Sequence, residues 1–88
     1  MSNASIVGRM RDVIDALKSR KISAVEAEGS LESHATALEA MPEDLRRELG
    51  SLTYELVESE WEEDTQFAFP LTYEVVVRIE KWLDKVPA

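Results

Sequence analysis

The chain has 88 residues, no cysteine and a formal net charge of −8. Its length predicts one small domain, residues 1–88, with a thin hydrophobic core. The lack of cysteine excludes disulfides and thiolate zinc sites. No apolar run approaches the ~20 residues of a membrane-spanning helix and no signal peptide is visible, so we expect a cytoplasmic protein. Such acidity argues against binding to DNA or RNA, because phosphate binding requires basic residues.

The negative charge is concentrated in one stretch that is also rich in aromatic residues. Residues 22–77 carry fourteen Asp or Glu against only Arg46 and Arg47. No Lys, Arg or His lies between Arg47 and Arg78. Acidic side chains steer a basic partner and aromatic rings supply buried area, so this pattern predicts a protein-binding surface. The aromatic residues in it are Tyr54, Trp61, Phe67, Phe69 and Tyr73.

A first helix is predicted over residues 5–18, because apolar residues recur there at helical spacing. Residues 1–4 are short, small and polar, and we assign them no structural role. The prediction depends on four apolar residues that are separated by four, three and four positions, namely Ile6, Met10, Val13 and Leu17.

A second helix is predicted to begin after Ser23, since Ser23 and Glu26 have the spacing of a capping box. Its apolar stripe extends to Met41, where the following Pro42 disfavours helical geometry. Gly29 weakens this helix by ~1 kcal/mol relative to alanine and leaves a break at that point open.

A third helix is predicted over residues 42–63, with Pro42 in its first position and acidic residues at its positive end. Gly50 interrupts the segment without interrupting its apolar stripe, so a single helix is expected, and a kink at Gly50 is left open. Residues 64–70 are predicted to form a loop. The stripe consists of Leu45, Leu49, Leu52 and Leu56.

The fourth segment, residues 71–85, fits either of two patterns. Residues 73–79 alternate like a β-strand and are β-prone, while the whole segment also carries a helical stripe. Its length and its charged end favour a helix, in which Trp82 lies on the inner stripe. The predicted fold is therefore an all-α, small antiparallel four-helix bundle, with the fourth segment as β the alternative.

Two non-polar faces are predicted for the third helix. At ~100° per residue, Tyr54 and Trp61 project nearly opposite the leucines. Either the helix is central and buries both faces, or the rings are exposed anchors with an acidic rim. The candidate partner-binding residues on the second reading are Tyr54, Glu55, Glu58, Trp61, Glu62, Glu63, Asp64 and Phe67.

Enzymatic and cofactor chemistry have little support in the sequence. The single histidine, His34, lies on an apolar stripe and is interpreted as structural. The acidic run at residues 58–64 lacks the glycine turn of a calcium loop and is interpreted as a solvated face. Isolated glycines form no phosphate loop. We therefore expect no catalytic, cofactor or metal site, and no enzyme.

The sequence resembles small bacterial immunity proteins in size, acidity, lack of cysteine and predicted helices. Residues 51–64, 75–83 and 86–87 carry the resemblance, and they are most similar to the helical immunity proteins of contact-dependent inhibition systems. Colicin nuclease immunity proteins are similar in length and charge, and residues 75–82 resemble their last helix. The resemblance implies stoichiometric inhibition of a basic toxin domain, often a nuclease, without catalysis.

Two hypotheses follow for the function. In the first, the chain is an immunity protein whose acidic and aromatic residues bind a basic toxin domain. In the second, it is a structural or regulatory helical module without a toxin partner, whose aromatic face forms a homodimer and whose acids serve solubility.

Overall fold

The computed structural model describes the backbone of residues 2–62 and 68–87 and the side chains of residues 2–59 and 73–87. In these residues it contains no strand, and the predicted all-α four-helix architecture is confirmed. The helices are α1 (Asn3–Lys18), α2 (Ala24–Ala35), α3 (Glu43–Glu62) and α4 (Ala68–Asp84).

The helices form a closed cycle in which α1 packs on α2, α2 on α3, α3 on α4, and α4 on α1. Ion pairs show the direction of neighbouring helices. Lys85 at the end of α4 binds Glu48 near the start of α3, and Arg78 earlier in α4 binds Glu55 further along α3. These two helices therefore run antiparallel, as the short connections predict.

The core lies on the axis of this cycle and draws buried apolar residues from every helix. Trp82 is 1 % exposed, and its indole N–H donates to the backbone carbonyl of Leu45 at 2.8 Å. The predicted core position of Trp82 is confirmed, and the hydrogen bond explains how its one polar group tolerates burial. Other fully buried side chains are Ile6, Met10, Ile14, Leu31, Leu56 and Ile79.

The first helix begins earlier than its apolar pattern predicts. Ser2 is the N-cap, and its hydroxyl accepts from the Ser5 amide at 3.2 Å. Asn3, within the stretch to which the sequence assigned no role, is 7 % exposed and hydrogen-bonded. That interpretation was wrong, because a short polar residue at a helix start can bind backbone groups that come from distant parts of the chain.

The second helix begins as predicted and ends early. The capping box between Ser23 and Glu26 is present. The helix stops at Ala35 and not at Met41, and two overlapping four-residue turns follow, in which the amides of Ala37 and Leu38 donate to the carbonyls of His34 and Ala35. Leu38 remains 3 % exposed outside the helix. The apolar spacing thus predicted the burial of Leu38 correctly and the length of the helix wrongly. A leucine at this position can be buried from a turn as well as from a helix.

Tertiary contacts explain why the second helix ends at Ala35. The Arg46 guanidinium donates to the carbonyls of Ala35 and Leu38 at 3.3 and 2.9 Å. In a longer helix the Glu39 amide would donate to the Ala35 carbonyl, but here it donates to Asn3 Oδ1, and Arg46 supplies the two carbonyls with a side-chain donor. Ala40 then adopts a left-handed backbone conformation with φ 56°, which reverses the chain toward α3.

The third and fourth helices are continuous over the described residues. The Pro42 carbonyl accepts the first hydrogen bonds of α3, so Pro42 precedes the helix by one residue, and Gly50 leaves α3 unbroken. The strand alternative for residues 73–79 is excluded, since they lie within α4. Pro70, predicted to be in a loop, lies in the first turn of α4, where a backbone N–H has no helical acceptor. The remaining predicted loop residues, 64–67, lie outside the described part of the chain.

Candidate functional site

The outward face of α3 presents an aromatic ring beside a carboxylate. Tyr54 is 67 % exposed, and Glu58, one helical turn further on, is also exposed. Hydrogen bonding to Glu58 and the negative charge of that carboxylate raise the pKa of Tyr54. The exposed ring is therefore presented beside an acid.

The core packing of α3 determines this placement. Leu52 and Leu56 are buried, and Tyr54 between them in sequence projects to the far side of the helix. The reading in which α3 buries both of its faces is thus excluded at Tyr54. The same phase relationship was the basis for predicting Tyr54 as an anchor.

Glu55 has a partner within the chain. It is half-buried and forms an ion pair and hydrogen bond with Arg78 across the contact between α3 and α4. In the same groove, Lys85 binds Glu48 at 3.0 Å. Arg78 of α4 and Lys85 just after it therefore balance acids that the sequence pattern counted as part of an uncompensated acidic surface.

Five predicted partner-binding residues are not placed by the structure. Glu63, Asp64 and Phe67 lie outside the described residues, and the side chains of Trp61 and Glu62 are outside the described set. Of the predicted surface, the structure therefore brings together Tyr54 and Glu58 and directs Glu55 toward α4.

Tyr73 is the exposed tyrosine of α4. It is 56 % exposed and acts electrostatically on Lys18 of α1. Lys18 binds Glu80 at 3.0 Å, and this hydrogen bond is the main reason that the pKa of Lys18 is raised. The two exposed tyrosines therefore belong to different helices, and each interacts with a different charged neighbour.

A small open cleft lies between α2, α3 and the end of α4, and sequence reasoning missed it. Its volume is about 220 Å³. Its charged rim residues already have partners: Arg46 binds carbonyls at the end of α2, and Glu32 accepts from the Thr53 hydroxyl at 3.0 Å. Gly50, a glycine inside an otherwise strong helix, was the one sequence signal. The lining residues are Glu32, Ala35, Thr36, Met41, Arg46, Leu49, Gly50 and Trp82.

Within the described part of the chain, no group of three or more acidic or histidine side chains is arranged to hold a metal ion. His34 is half-buried on α2. None of the helices, searched over the described residues, is both long and apolar enough to cross a membrane.

No protein-family model, no curated protein and no solved structure matches this chain. The surface chemistry described above is therefore the basis for a functional assignment.

Proposed function

We propose that this protein is a cytoplasmic immunity protein that binds a basic toxin domain, a nuclease, and neutralises it by stoichiometric association. The observation that carries the proposal is the exposed Tyr54 ring beside the exposed Glu58 carboxylate on α3. A net charge of −8 supports a basic partner.

The chemistry of this pair suits a binding surface. A tyrosine can bury its ring against a partner while its hydroxyl keeps a hydrogen bond, and it loses little side-chain entropy. A nearby exposed carboxylate accelerates encounter with a basic protein and disfavours acidic ones. Inhibition then requires only that the bound protein cover the toxin's cationic surface.

The decisive test uses the polypeptide encoded immediately upstream of this gene. Its C-terminal domain is purified and mixed with this protein, and binding, nuclease activity and growth arrest are measured. We expect a 1:1 complex in which activity is lost. An upstream polypeptide with no basic or toxic C-terminal domain, or a complex that leaves the activity intact, contradicts the proposal.

Salt and charge reversal test the mechanism of this association. The association rate should fall between about 50 mM and about 300 mM salt, because exposed charges are screened over ~8 Å at physiological ionic strength. Glu58→Lys should slow association without altering the fold, whereas Asp12→Lys on α1 is the matched control. Equal rates for both variants at all salt concentrations contradict steering through α3.

The homodimer alternative has weaker support. The exposed large apolar residues in the described part of the chain are Val25, Tyr54 and Tyr73, one each on α2, α3 and α4. A stable dimer interface needs a contiguous patch. Sedimentation at micromolar concentration tests this reading, and a tight dimer that protects Tyr54 would favour it over the immunity proposal.

A further inference from the structure

Gly50 has no explanation within the fold of the chain itself. It lies in the interior of α3, it is exposed, and its backbone does not adopt a positive φ. A Cβ added there would meet nothing within 4 Å. A glycine in a helix interior weakens the helix relative to alanine, and glycine lets another group approach the backbone closely. Gly8 and Gly29 share these features, but of the three glycines it is Gly50 that lines a cleft.

The cleft beside Gly50 supplies a reason for close approach. Met41, Leu49 and Trp82 form apolar walls, and the absence of a side chain at Gly50 keeps one side open. The volume of about 220 Å³ is below the ~300–1,000 Å³ of sites for drug-sized ligands. The cleft is therefore of a size to hold one large side chain.

The charges at the cleft limit what that side chain can be. Glu32 and Arg46 lie on the rim with opposite signs, and each is engaged within the chain. A charged occupant of either sign would meet one like charge as well as one opposite charge, so the rim gives neither sign a net advantage. The interior therefore favours an uncharged, apolar group.

The surroundings of the cleft favour a basic polypeptide as the carrier of that group. Four acids lie on the adjoining turns, Glu28 and Glu32 on α2 and Glu43 and Asp44 at the start of α3, against Arg46 and Arg47, of which Arg47 pairs with Glu43 at 3.6 Å. The chain as a whole carries −8. Lysine or arginine residues flanking an apolar anchor would be attracted to these acids.

We infer that this cleft is the anchor pocket for a leucine-sized apolar side chain carried on a Lys- or Arg-flanked segment of the partner. Only the identity of that partner rests on the proposed function. The pocket is distinct from the exposed Tyr54 and Glu58 pair, and a partner that covers α3 from Gly50 to Glu58 would contact both.

The test uses a short peptide as the probe. N-acetyl-Lys-Leu-Lys-amide is titrated into the ¹⁵N-labelled protein, and the resonances of the Gly50 amide and the Trp82 indole N–H are followed. We expect saturable shifts with a Kd in the millimolar range. Gly50→Leu, which fills the cleft, should weaken binding about tenfold.

Matched controls keep the result specific. Gly8→Leu places the same residue at another exposed, uncrowded helical glycine, on α1, and should leave binding unchanged. Circular dichroism establishes that both variants are folded. The peptides Lys-Ala-Lys and Glu-Leu-Glu, with the same end groups, should both bind more weakly. Equal binding to Gly50→Leu, or equal binding of the alanine peptide, overturns the inference.

Further outcomes separate this inference from the proposed function. Shifts at Gly50 that depend on protein concentration in the absence of peptide would assign the cleft to a second copy of the chain and overturn the inference. A toxin whose affinity is the same for the wild type and Gly50→Leu overturns the pocket and leaves the immunity proposal standing. Peptide binding at the cleft, combined with the absence of any toxin partner, leaves the pocket standing and overturns the immunity proposal.

Discussion

Asn3 and Glu39 exchange two hydrogen bonds, through which the first turn of α1 is joined to the connection between α2 and α3. The Asn3 side-chain amide donates to the Glu39 carbonyl at 2.8 Å, and the Glu39 amide donates back to Oδ1 at 2.9 Å. The same side-chain amide donates to the Pro87 carbonyl at 2.9 Å. One buried residue therefore joins the beginning, the middle and the end of the chain.

Asn3→Ala should lower the free energy of unfolding by about 2–3 kcal/mol, because it removes three hydrogen bonds and leaves backbone groups unsatisfied. Denaturant unfolding followed by circular dichroism measures this loss. Ser5→Ala, at an exposed position in the same turn, is the control and should cost less than about 0.5 kcal/mol. Equal effects of the two substitutions would mean that the Asn3 contacts contribute nothing.

Glu58→Gln should return the pKa of Tyr54 toward its ordinary value of 10.0, because it removes the carboxylate that stabilises the neutral phenol. Tyrosinate absorbance in a Tyr73→Phe background isolates the titration of Tyr54. Since the pKa is raised in the folded state, the stability from this pair is present below pH 10.0 and is lost as the pH rises through the folded-state pKa. An unchanged pKa in Glu58→Gln, with Glu43→Gln as the control, would contradict the Tyr54–Glu58 contact.

Gly8→Ala and Gly29→Ala should each stabilise the protein by about 0.5–1 kcal/mol. Both glycines are exposed and helical, and an added Cβ meets nothing within 4 Å. Thermal and denaturant unfolding measure the gain. Gly50→Ala should give a similar gain in stability, so that any loss of partner binding by this variant is separable from misfolding. A destabilised Gly8→Ala variant would contradict the described packing of α1.

Ala40→Gly should stabilise the protein, whereas the same substitution inside a helix should destabilise it. Ala40 has φ 56°, a conformation that costs L-residues roughly 1–2 kcal/mol and glycine almost nothing. The greater freedom of glycine in the unfolded chain offsets about 0.4–1 kcal/mol of this gain. We expect a net stabilisation of about 0.5 kcal/mol by denaturant unfolding, whereas Ala4→Gly in α1 should destabilise.

The Lys18–Glu80 pair should show a coupling of about 0.3–1 kcal/mol in a double-mutant cycle, because both partners are partly exposed. The Arg47–Glu43 pair, at 3.6 Å and largely solvent-exposed, should show less. The pKa of Lys18 is raised by Glu80, so its contribution is full below its ordinary value of 10.5 and is lost as the pH rises through the folded-state pKa. Coupling that persists in high salt would contradict a surface ion pair.

Helical periodicity was sufficient to predict the existence of the first three helices and the buried positions of the fourth. The leucines of α3 and the inner stripe of α4 follow the 3.6-residue repeat, so their burial was predictable without coordinates. The helix-or-strand question at residues 73–79 was not, because a short β-prone stretch satisfies both patterns. Helix α4 results because the inner positions Val75, Ile79 and Trp82 pack on α3 and on the rest of the core.

The candidate site was predictable only in part, and for a physical reason. The phase of Tyr54 on α3 follows from spacing alone, and its exposure agrees with that phase. The role of Glu55 could not be read in this way, since its partner Arg78 lies on another helix. Charge counted along a sequence takes no account of ion pairs that form across a packed interface.

The sequence by itself determined the helical class, the capping box, the inner stripes and the acidic balance, because these depend on local spacing and composition. The tertiary structure alone decided where α2 ends, which acids have cationic partners, and that a cleft lies beside Gly50. Each of these depends on groups far apart in the chain, such as Arg46 with the end of α2 and Asn3 with Glu39. Periodicity within one helix carries no information about such contacts.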